Sequence, residues 1–263
     1  RALDVDYLLV GKLVPTAEGI QAQFALFDVY TQALVLEDTA TGSVNTLRDI
    51  AHGVSDRVYE KLTGIRGAFS TKLLYVSAVD RGNQQYTYRL LTSDVDGERE
   101  RVIFESKDPL LTPTWAPDGE TIAYVSFETT RPAIYMHNLR TNKRTQLTNF
   151  QGLNGAPAWS PDGKKLAMVL SKDGSPDIYV MDIATKNLKR VTRHFAIDTE
   201  PSWMPDGRSI IYTSDRGGKP QIYQVTLATG YEERVTYDGD YNARARVVPD
   251  GSGIIMVHRS MGH

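Results

Sequence analysis

Short stretches in which apolar and polar residues alternate, separated by turn-forming clusters, occupy most of the chain from about residue 70 onward. One group of four such stretches is Ala156–Ser160, Lys165–Leu170, Ile178–Ile183 and Leu188–Thr192. Short alternating stretches bounded by Gly, Pro, Asp and Asn predict β-strands. The grouping recurs along the chain, so the pattern predicts a series of four-stranded sheets.

The grouping repeats with a constant period of 44 residues. The motif Trp-x-Pro-Asp-Gly ends at Gly119, Gly163 and Gly207, and Pro-Asp-Gly returns at Gly251. Pro fixes φ, Asp accepts a hydrogen bond from the backbone two residues on, and Gly adopts positive φ, so the motif predicts a hairpin turn. Four-stranded repeats of this length are typical of β-propeller blades. The Trp of each first strand is predicted to pack between neighbouring blades.

The series is predicted to be incomplete at both ends. A first unit over residues 72–105 has no preceding Trp-containing strand, and the fifth unit contains only two strands. We therefore expect a mostly β fold with about four and a half blades over residues 69–263. Open sheet edges of this kind are expected to aggregate or to pair with another chain.

Residues 1–68 follow a different pattern and are predicted to form a small α/β domain that is incomplete at its start. Val5–Val14, Gly19–Val29 and Ala33–Ala40 are predicted strands. Asn45–Leu62 has a helical apolar face and is predicted to end at Gly64.

Composition and motifs exclude several functional classes. The 30 basic and 32 acidic side chains nearly balance, so no overall field indicates nucleic acid or an anionic membrane. The chain has no cysteine and no apolar run long enough to span a membrane. It contains neither Gly-x-Ser-x-Gly nor a phosphate-binding glycine motif, and its five histidines are far apart. We predict no catalytic residue, no metal site and no cofactor.

The connections between blades are the predicted functional feature. They are 106–112, 149–156, 193–200 and 237–244, and the last three have equal length but unlike side chains. In an up-and-down blade these connections share one face next to the ring axis. A repeated scaffold that carries varied loops favours a binding surface, whereas the alternative is that these are merely solvated loops.

The repeats and the segment before them resemble the TolB family, the periplasmic component of the Tol-Pal system of Gram-negative bacteria. The resemblance is carried by Asn154–Gly163, Thr199–Gly207, Ile178–Ile183 and Tyr59–Phe69. It implies a six-bladed-type propeller with an N-terminal α/β domain, a periplasmic location and no catalytic residues.

The same resemblance implies binding of the lipoprotein Pal at the mouth of the propeller, and so a part in outer-membrane integrity and cell division. It also implies that colicins use this mouth, and that TolA binds a segment we expect to be missing here. The residues that match the mouth loops of the family are Leu111, Thr112, Leu153, Asn154, Gly155, Ala156, Asp198, Thr199, Glu200, Asn242, Ala243 and Arg244.

Two other functions stay open at this point. Similar repeats occur in the propellers of serine peptidases, where the propeller controls access of the substrate. A propeller can also bind a small ligand or a metal in its channel.

Overall fold

The computed structural model describes residues 5–260, which divide into two compact units. The first unit extends to residue 73 and includes 92–101, and the second contains 74–91 and the residues from 102 onward. The predicted domain boundary at residue 68 stays a prediction. The first compact unit is not one continuous segment, since it also includes residues 92–101.

The first unit contains one antiparallel sheet and one long helix. Its strands are β1 (Tyr7–Thr16), β2 (Gly19–Asp28) and β3 (Leu34–Gly42), in that order across the sheet, followed by a short 3-10 helix (Val44–Thr46) and helix α1 (Leu47–Thr63). Helix α1 ends where Gly64 adopts a φ of 73°, a conformation that glycine adopts without a Cβ clash. The side chains of Ala22, Ala40 and Ile50 are buried between helix and sheet.

The second unit is built mainly from the repeats, which form five antiparallel sheets. The first blade has β4 (Lys72–Asp80), β5 (Tyr86–Asp94) and β6 (Arg101–Ser106). The second has β7 (Leu110–Trp115), β8 (Thr121–Ser126), β9 (Ala133–Asn138) and β10 (Lys143–Gln146). The third has β11 (Asn154–Trp159), β12 (Lys165–Leu170), β13 (Asp177–Asp182) and β14 (Leu188–Arg190). The fourth has β15 (Asp198–Trp203), β16 (Ser209–Ser214), β17 (Gln221–Thr226) and β18 (Glu232–Arg234), and the fifth has β19 (Tyr241–Val247) and β20 (Ile254–Arg259).

The predicted mostly β, partial propeller is confirmed, with three complete blades between two incomplete ones. The turn chemistry also agrees with the prediction. In the third blade Gly163 has a φ of 68°, and the Asp162 carboxylate accepts a hydrogen bond from the Lys164 N–H at 3.0 Å. The equivalent glycines of the second, fourth and fifth blades have φ of 67°, 67° and 76°.

Each complete blade ends with a threonine that follows a leucine or a valine, at Thr148, Thr192 and Thr236. Its hydroxyl accepts a hydrogen bond from the N–H of the isoleucine 14 residues earlier, at 3.1 Å for Thr148, 3.0 Å for Thr192 and 2.9 Å for Thr236. All three threonines are buried. A buried N–H without a partner is costly, so this hydroxyl completes the sheet where the last strand stops.

The tryptophans pack between blades, as the sequence predicts. Trp203 of the fourth blade packs against Ala156 and Ala158 of the third, and its indole N–H donates to the Ala158 carbonyl at 3.0 Å. Trp159 similarly packs against apolar side chains of the second blade. These contacts therefore bring the first strand of each of these blades, β11 and β15, against the blade that precedes it.

Candidate protein-binding face at the blade connections

Each connection between blades leads into a first strand that carries the same backbone irregularity. Thr112, Ala156, Glu200 and Arg244 occupy equivalent positions and have φ of 45°, 46°, 56° and 57°. The pairing of the first strand with the second shifts register at these four positions. Positive φ is unfavourable for residues other than glycine, and it marks a β-bulge that redirects side chains. Four predicted site residues thus lie on this repeated bulge.

Three other predicted site residues are buried. Asn154, Asp198 and Asn242 also occupy equivalent positions, and each has 0% exposure. Their side chains are therefore not exposed to a partner in this conformation, and their part in binding stays a prediction. Gly155 and Ala243, which follow two of them, are buried as well.

The two asparagines hold their loops by hydrogen bonds. Asn154 accepts a bond from the Phe150 N–H at 3.1 Å and donates to the Phe150 carbonyl at 2.7 Å. Asn242 donates to the Asp238 carbonyl at 2.7 Å and to Gln221 Oε1 at 2.8 Å. An asparagine offers both donors and an acceptor, which suits it to closing a loop on itself. Sequence alone shows a polar loop residue and does not show that it points inward.

Asp198 occupies the same position but acts through a charge. Its Oδ2 accepts a hydrogen bond from Arg216 Nη2 at 2.8 Å. Burial raises the pKa of this carboxyl above its ordinary value, and hydrogen bonds and the charge of Arg216 oppose the rise. Asp198 therefore joins a connection to the interior of its own blade.

Glu200 and Arg244 join the fourth and fifth blades at the mouth. Arg244 Nε lies 2.9 Å from Glu200 Oε1, and the Arg244 backbone N–H donates to Glu200 Oε2 at 2.9 Å. Thr213 donates to the same Oε2 at 3.1 Å. Arg244 is mostly exposed and Glu200 partly so, so both are accessible to a partner.

The connections also expose apolar side chains, some of which the sequence analysis missed. Leu111 and Leu153 were predicted and are exposed. Phe195 is 87% exposed, and Ile197 and Tyr237 are exposed too. Ile197 lies 44 residues after Leu153, so the repeat itself contained a signal for it. Thr112 is exposed, while Ala156 and Thr199 are partly buried.

A possible set of metal ligands lies in the first unit, where the sequence analysis predicts none. Potential ligand atoms of His52, Asp94 and Asp96 lie within 4.8 Å of one another. Arg48 already pairs with both carboxylates, at 2.9 Å from Asp94, and Arg99 Nε lies 2.8 Å from Asp94. Arg99 and then Arg48 hold the pKa of Asp94 below its ordinary value. The two arginines thus neutralise the negative charge of these carboxylates, and a cation would need that charge in order to bind.

Within residues 5–260, no helix combines the length and the apolarity needed to cross a bilayer.

Comparison with known proteins identifies relatives of the whole fold. The crystal structure of TolB from Acinetobacter baumannii is 43% identical, with a TM-score of 0.92 over 98% of this chain and 65% of that chain. The Tol-Pal system protein TolB of Pseudomonas fluorescens is 51% identical over 156 residues, which are 59% of this chain. The matched segment spans 36% of the length of that curated relative. A puromycin hydrolase with 12% identity and a TM-score of 0.55 shares the fold alone.

The repeats that build the candidate face also match a family model. The model describes the TolB beta propeller domain and matches residues 59–263. This range contains all five blades and most of the chain, so the chain belongs to the TolB β-propeller family.

Proposed function

We propose that this chain is part of a Tol-Pal system protein of the periplasm and acts as a non-enzymatic scaffold that binds other proteins. Its partner in this proposal is the lipoprotein Pal, which binds the face formed by the blade connections. Through this binding it contributes to outer-membrane integrity and cell division. The proposal is supported by relatives that carry the name Tol-Pal system protein TolB.

The observation that carries the proposal is the exposure of apolar side chains on loops that are held in place. Phe195, Ile197 and Leu153 are exposed on connections of equal length. Aromatic side chains such as that of Phe195 are enriched in protein–protein interfaces. Loops that are already ordered lose little conformational entropy on binding, which favours affinity.

The contacts around Phe195 show how one connection is held. The Phe195 ring packs on the His194 ring with centroids 4.2 Å apart. The His194 N–H donates to Asp177 at 3.2 Å, and the Ile197 N–H donates to Asp215 at 2.8 Å. The exposed side chains therefore extend from a fixed backbone.

The polar residues of the face complete this proposed interface. Leu111 and Thr112 belong to the connection that precedes the second blade, and Thr199 to that of the fourth. Glu200 and Arg244 supply a charged pair that a partner can reach. Buried Asn154, Asp198 and Asn242 would act indirectly, by holding the loops. Such a set suits the recognition of a protein surface rather than the activation of a nucleophile.

Calorimetric titration of the soluble domain of Pal tests the proposal. We expect the double variant Phe195→Ser with Ile197→Ser to weaken binding by about tenfold or more, because exposed aromatic anchors often dominate interface energies. The matched control is Tyr231→Ser, which removes a 63% exposed aromatic from the turn between β17 and β18 on the opposite face. The control should retain full affinity.

Two results would contradict the proposal. The first is no heat of binding to the unaltered chain, and the second is equal loss in the double variant and in Tyr231→Ser. Thermal melting of each variant shows whether the fold is retained. Binding of TolA and of colicins stays a prediction from the resemblance.

A further inference from the structure

The inner strands of the propeller line a cavity of about 790 Å³. Its walls are residues 112–117 of the second blade, 156–161 of the third, 199–203 of the fourth, and Arg244 and Arg246 of the fifth. A cavity of this volume has room for a small ligand or for a side chain of a partner.

Two rows of equivalent positions face this cavity. The row at the bulges consists of Thr112, Ala156, Glu200 and Arg244, and the row two residues further along each strand consists of Thr114, Ala158, Ser202 and Arg246. In the second, third and fourth blades the residues of the second row have small side chains. Arg246 is the one large side chain in that row.

The charges on the walls do not balance. Within the described lining, Glu200 is the one carboxylate, against the guanidinium groups of Arg244 and Arg246. Arg244 pairs with Glu200 through Nε. For Arg246, the contacts found within residues 5–260 include no ion pair, and its side-chain hydrogen bond goes to the Ala245 carbonyl at 3.0 Å. The lining therefore carries an excess positive charge.

The Arg246 side chain is exposed on the cavity wall, so its guanidinium is accessible to a ligand. Desolvation lowers the pKa of Arg246, the negative charge of Glu200 opposes this, and the positive charge of Arg244 adds to it. A guanidinium nevertheless keeps its proton at neutral pH. Two oxygens of one anion can accept parallel hydrogen bonds from a guanidinium, which is the strongest arrangement available to it.

We propose that the cavity binds an anionic group, a carboxylate or a phosphate, on Arg246 with support from the Nη atoms of Arg244. The hydroxyls of Thr112, Thr114 and Ser202 line the same cavity and can donate to a bound anion. The ligand is a small free anion or an Asp or Glu side chain of a protein partner that enters from the connection face. The second source rests on the proposed function, whereas the site itself does not.

Calorimetric titration at constant ionic strength tests the site with three probes. They are inorganic phosphate, the peptide acetyl-Gly-Gly-Glu-Gly-Gly-amide and the same peptide with Gln in place of Glu. We expect phosphate or the Glu peptide to bind the unaltered chain, and the Gln peptide to bind at least about tenfold more weakly. Binding of the Glu peptide without phosphate would assign the site to a partner side chain, and binding of phosphate alone would assign it to a free anion.

The key variant is Arg246→Ser, which introduces the residue that Ser202 provides at the equivalent position of the fourth blade. We expect it to weaken anion binding by about ten- to hundredfold. Arg246→Gln serves as a second variant that keeps length and polarity while removing the charge. Arg208→Ser is the matched control, because it removes one positive charge from an exposed turn outside the cavity and should leave binding unchanged.

Two results would overturn the site: none of the anionic probes binds, or the Arg246 variants bind them as tightly as Arg208→Ser does. Parallel titration with Pal separates this proposal from the proposed function. If the anions bind and Pal does not, the site stands and the proposed function fails. If Pal binds and neither anion does, the proposed function stands and the anion site fails.

Discussion

The second and fourth blades carry the same ion pair with its charges exchanged. In the second blade Arg144 forms two parallel hydrogen bonds with Glu128, at 2.8 and 2.9 Å. The equivalent positions of the fourth blade, 88 residues later, hold Arg216 and Glu232, which also pair. Arginine and glutamate can therefore exchange places in this pair within the same blade architecture.

The exchange also reverses the role of a buried tyrosine beside each pair. The Tyr124 hydroxyl accepts a hydrogen bond from Arg144 at 2.6 Å, whereas the Tyr212 hydroxyl donates to Glu232 at 2.6 Å. Burial raises the pKa of Tyr124 to about 12, and Arg144 opposes the rise. Burial also raises the pKa of Tyr212, and there Glu232 adds to the rise. A hydroxyl can take either role, which is why both arrangements fit one blade architecture.

One partner distinguishes the two blades. Arg216 also pairs with buried Asp198. In the second blade the position equivalent to Asp198 holds the apolar Leu110, which cannot form an ion pair. The arginine of the fourth blade thus compensates two carboxylates, and that of the second blade compensates one. The ion pair of the fourth blade is therefore part of a network, and its disruption should cost more free energy of unfolding than disruption of the pair in the second blade.

The largest effect is expected for Arg216→Glu. This change places a third carboxylate beside Asp198 and Glu232, and loss of a buried partner typically costs about 3–5 kcal/mol. Urea unfolding of the variant should show a loss of that order in the free energy of unfolding. Arg208→Glu changes the same charge on an exposed turn and should cost less than about 0.5 kcal/mol. Equal losses in the two variants would contradict the network.

A smaller effect is expected when the second blade is given the charge order of the fourth. Arg144→Glu and Glu128→Arg should each destabilise the fold, because each leaves two like charges side by side. The double variant should recover stability, with a coupling energy of about 1–2 kcal/mol in the cycle. Urea unfolding of the four proteins measures it. Additive losses in the double variant would show that the position requires one charge order after all.

Sequence reasoning found those features of the blades that depend on local chemistry. The Pro-Asp-Gly turns, the inter-blade Trp residues and the 44-residue step follow from residue types that have one conformational use, and all three agree with the structure. The sequence comparison did not reveal the exchanged ion pair. Glu128 and Arg216 occupy equivalent positions of their repeats, but they are different residues of opposite charge.

The binding face was predicted less completely for a similar reason. Asn154 and Asp198 read as polar loop residues, and only the hydrogen bonds of the folded loop show that they are buried. Phe195 reads as an apolar residue that should be buried, yet it is the most exposed of the apolar loop residues described. The direction of a loop side chain depends on tertiary contacts that no periodicity encodes.

A further difference between the second and fourth blades should appear in the pH dependence of stability. Burial alone would raise the pKa of Glu128, but its hydrogen bonds and the charge of Arg144 hold it below the ordinary 4.5. A lowered folded-state pKa contributes stability above about 4.5 that is lost as the pH falls through the folded value. Asp198 has a raised pKa, so its contribution is present below 3.8 and is lost as the pH rises through the folded value.

Unfolding measured between pH 3 and pH 7 (about the range in which carboxyls titrate) tests these opposite signs. The stability of the unaltered chain relative to Glu128→Gln should increase with pH. Its stability relative to Asp198→Asn should decrease with pH. Slopes of the same sign for both pairs would contradict the assignment of the two carboxyls.

The smallest effect is expected for the same substitution in the third blade, where the pair is absent. Lys172 occupies the position of Arg216, but Leu188 stands where Glu232 would be. Lys172 pairs instead with the neighbouring Asp173 at 2.7 Å and lies 5.3 Å from the ring of Tyr179. Asp173 is exposed, and pairs of this kind contribute about 1 kcal/mol or less.

Lys172→Glu should therefore cost less than about 1 kcal/mol in urea unfolding, although it makes the same change of sign as Arg216→Glu. The ratio of the two losses measures how much of the effect in the fourth blade comes from the buried network. Comparable losses would mean that the position itself, and not its partners, requires a positive charge. That outcome would also conflict with Glu128, which carries a negative charge at the same position of the second blade.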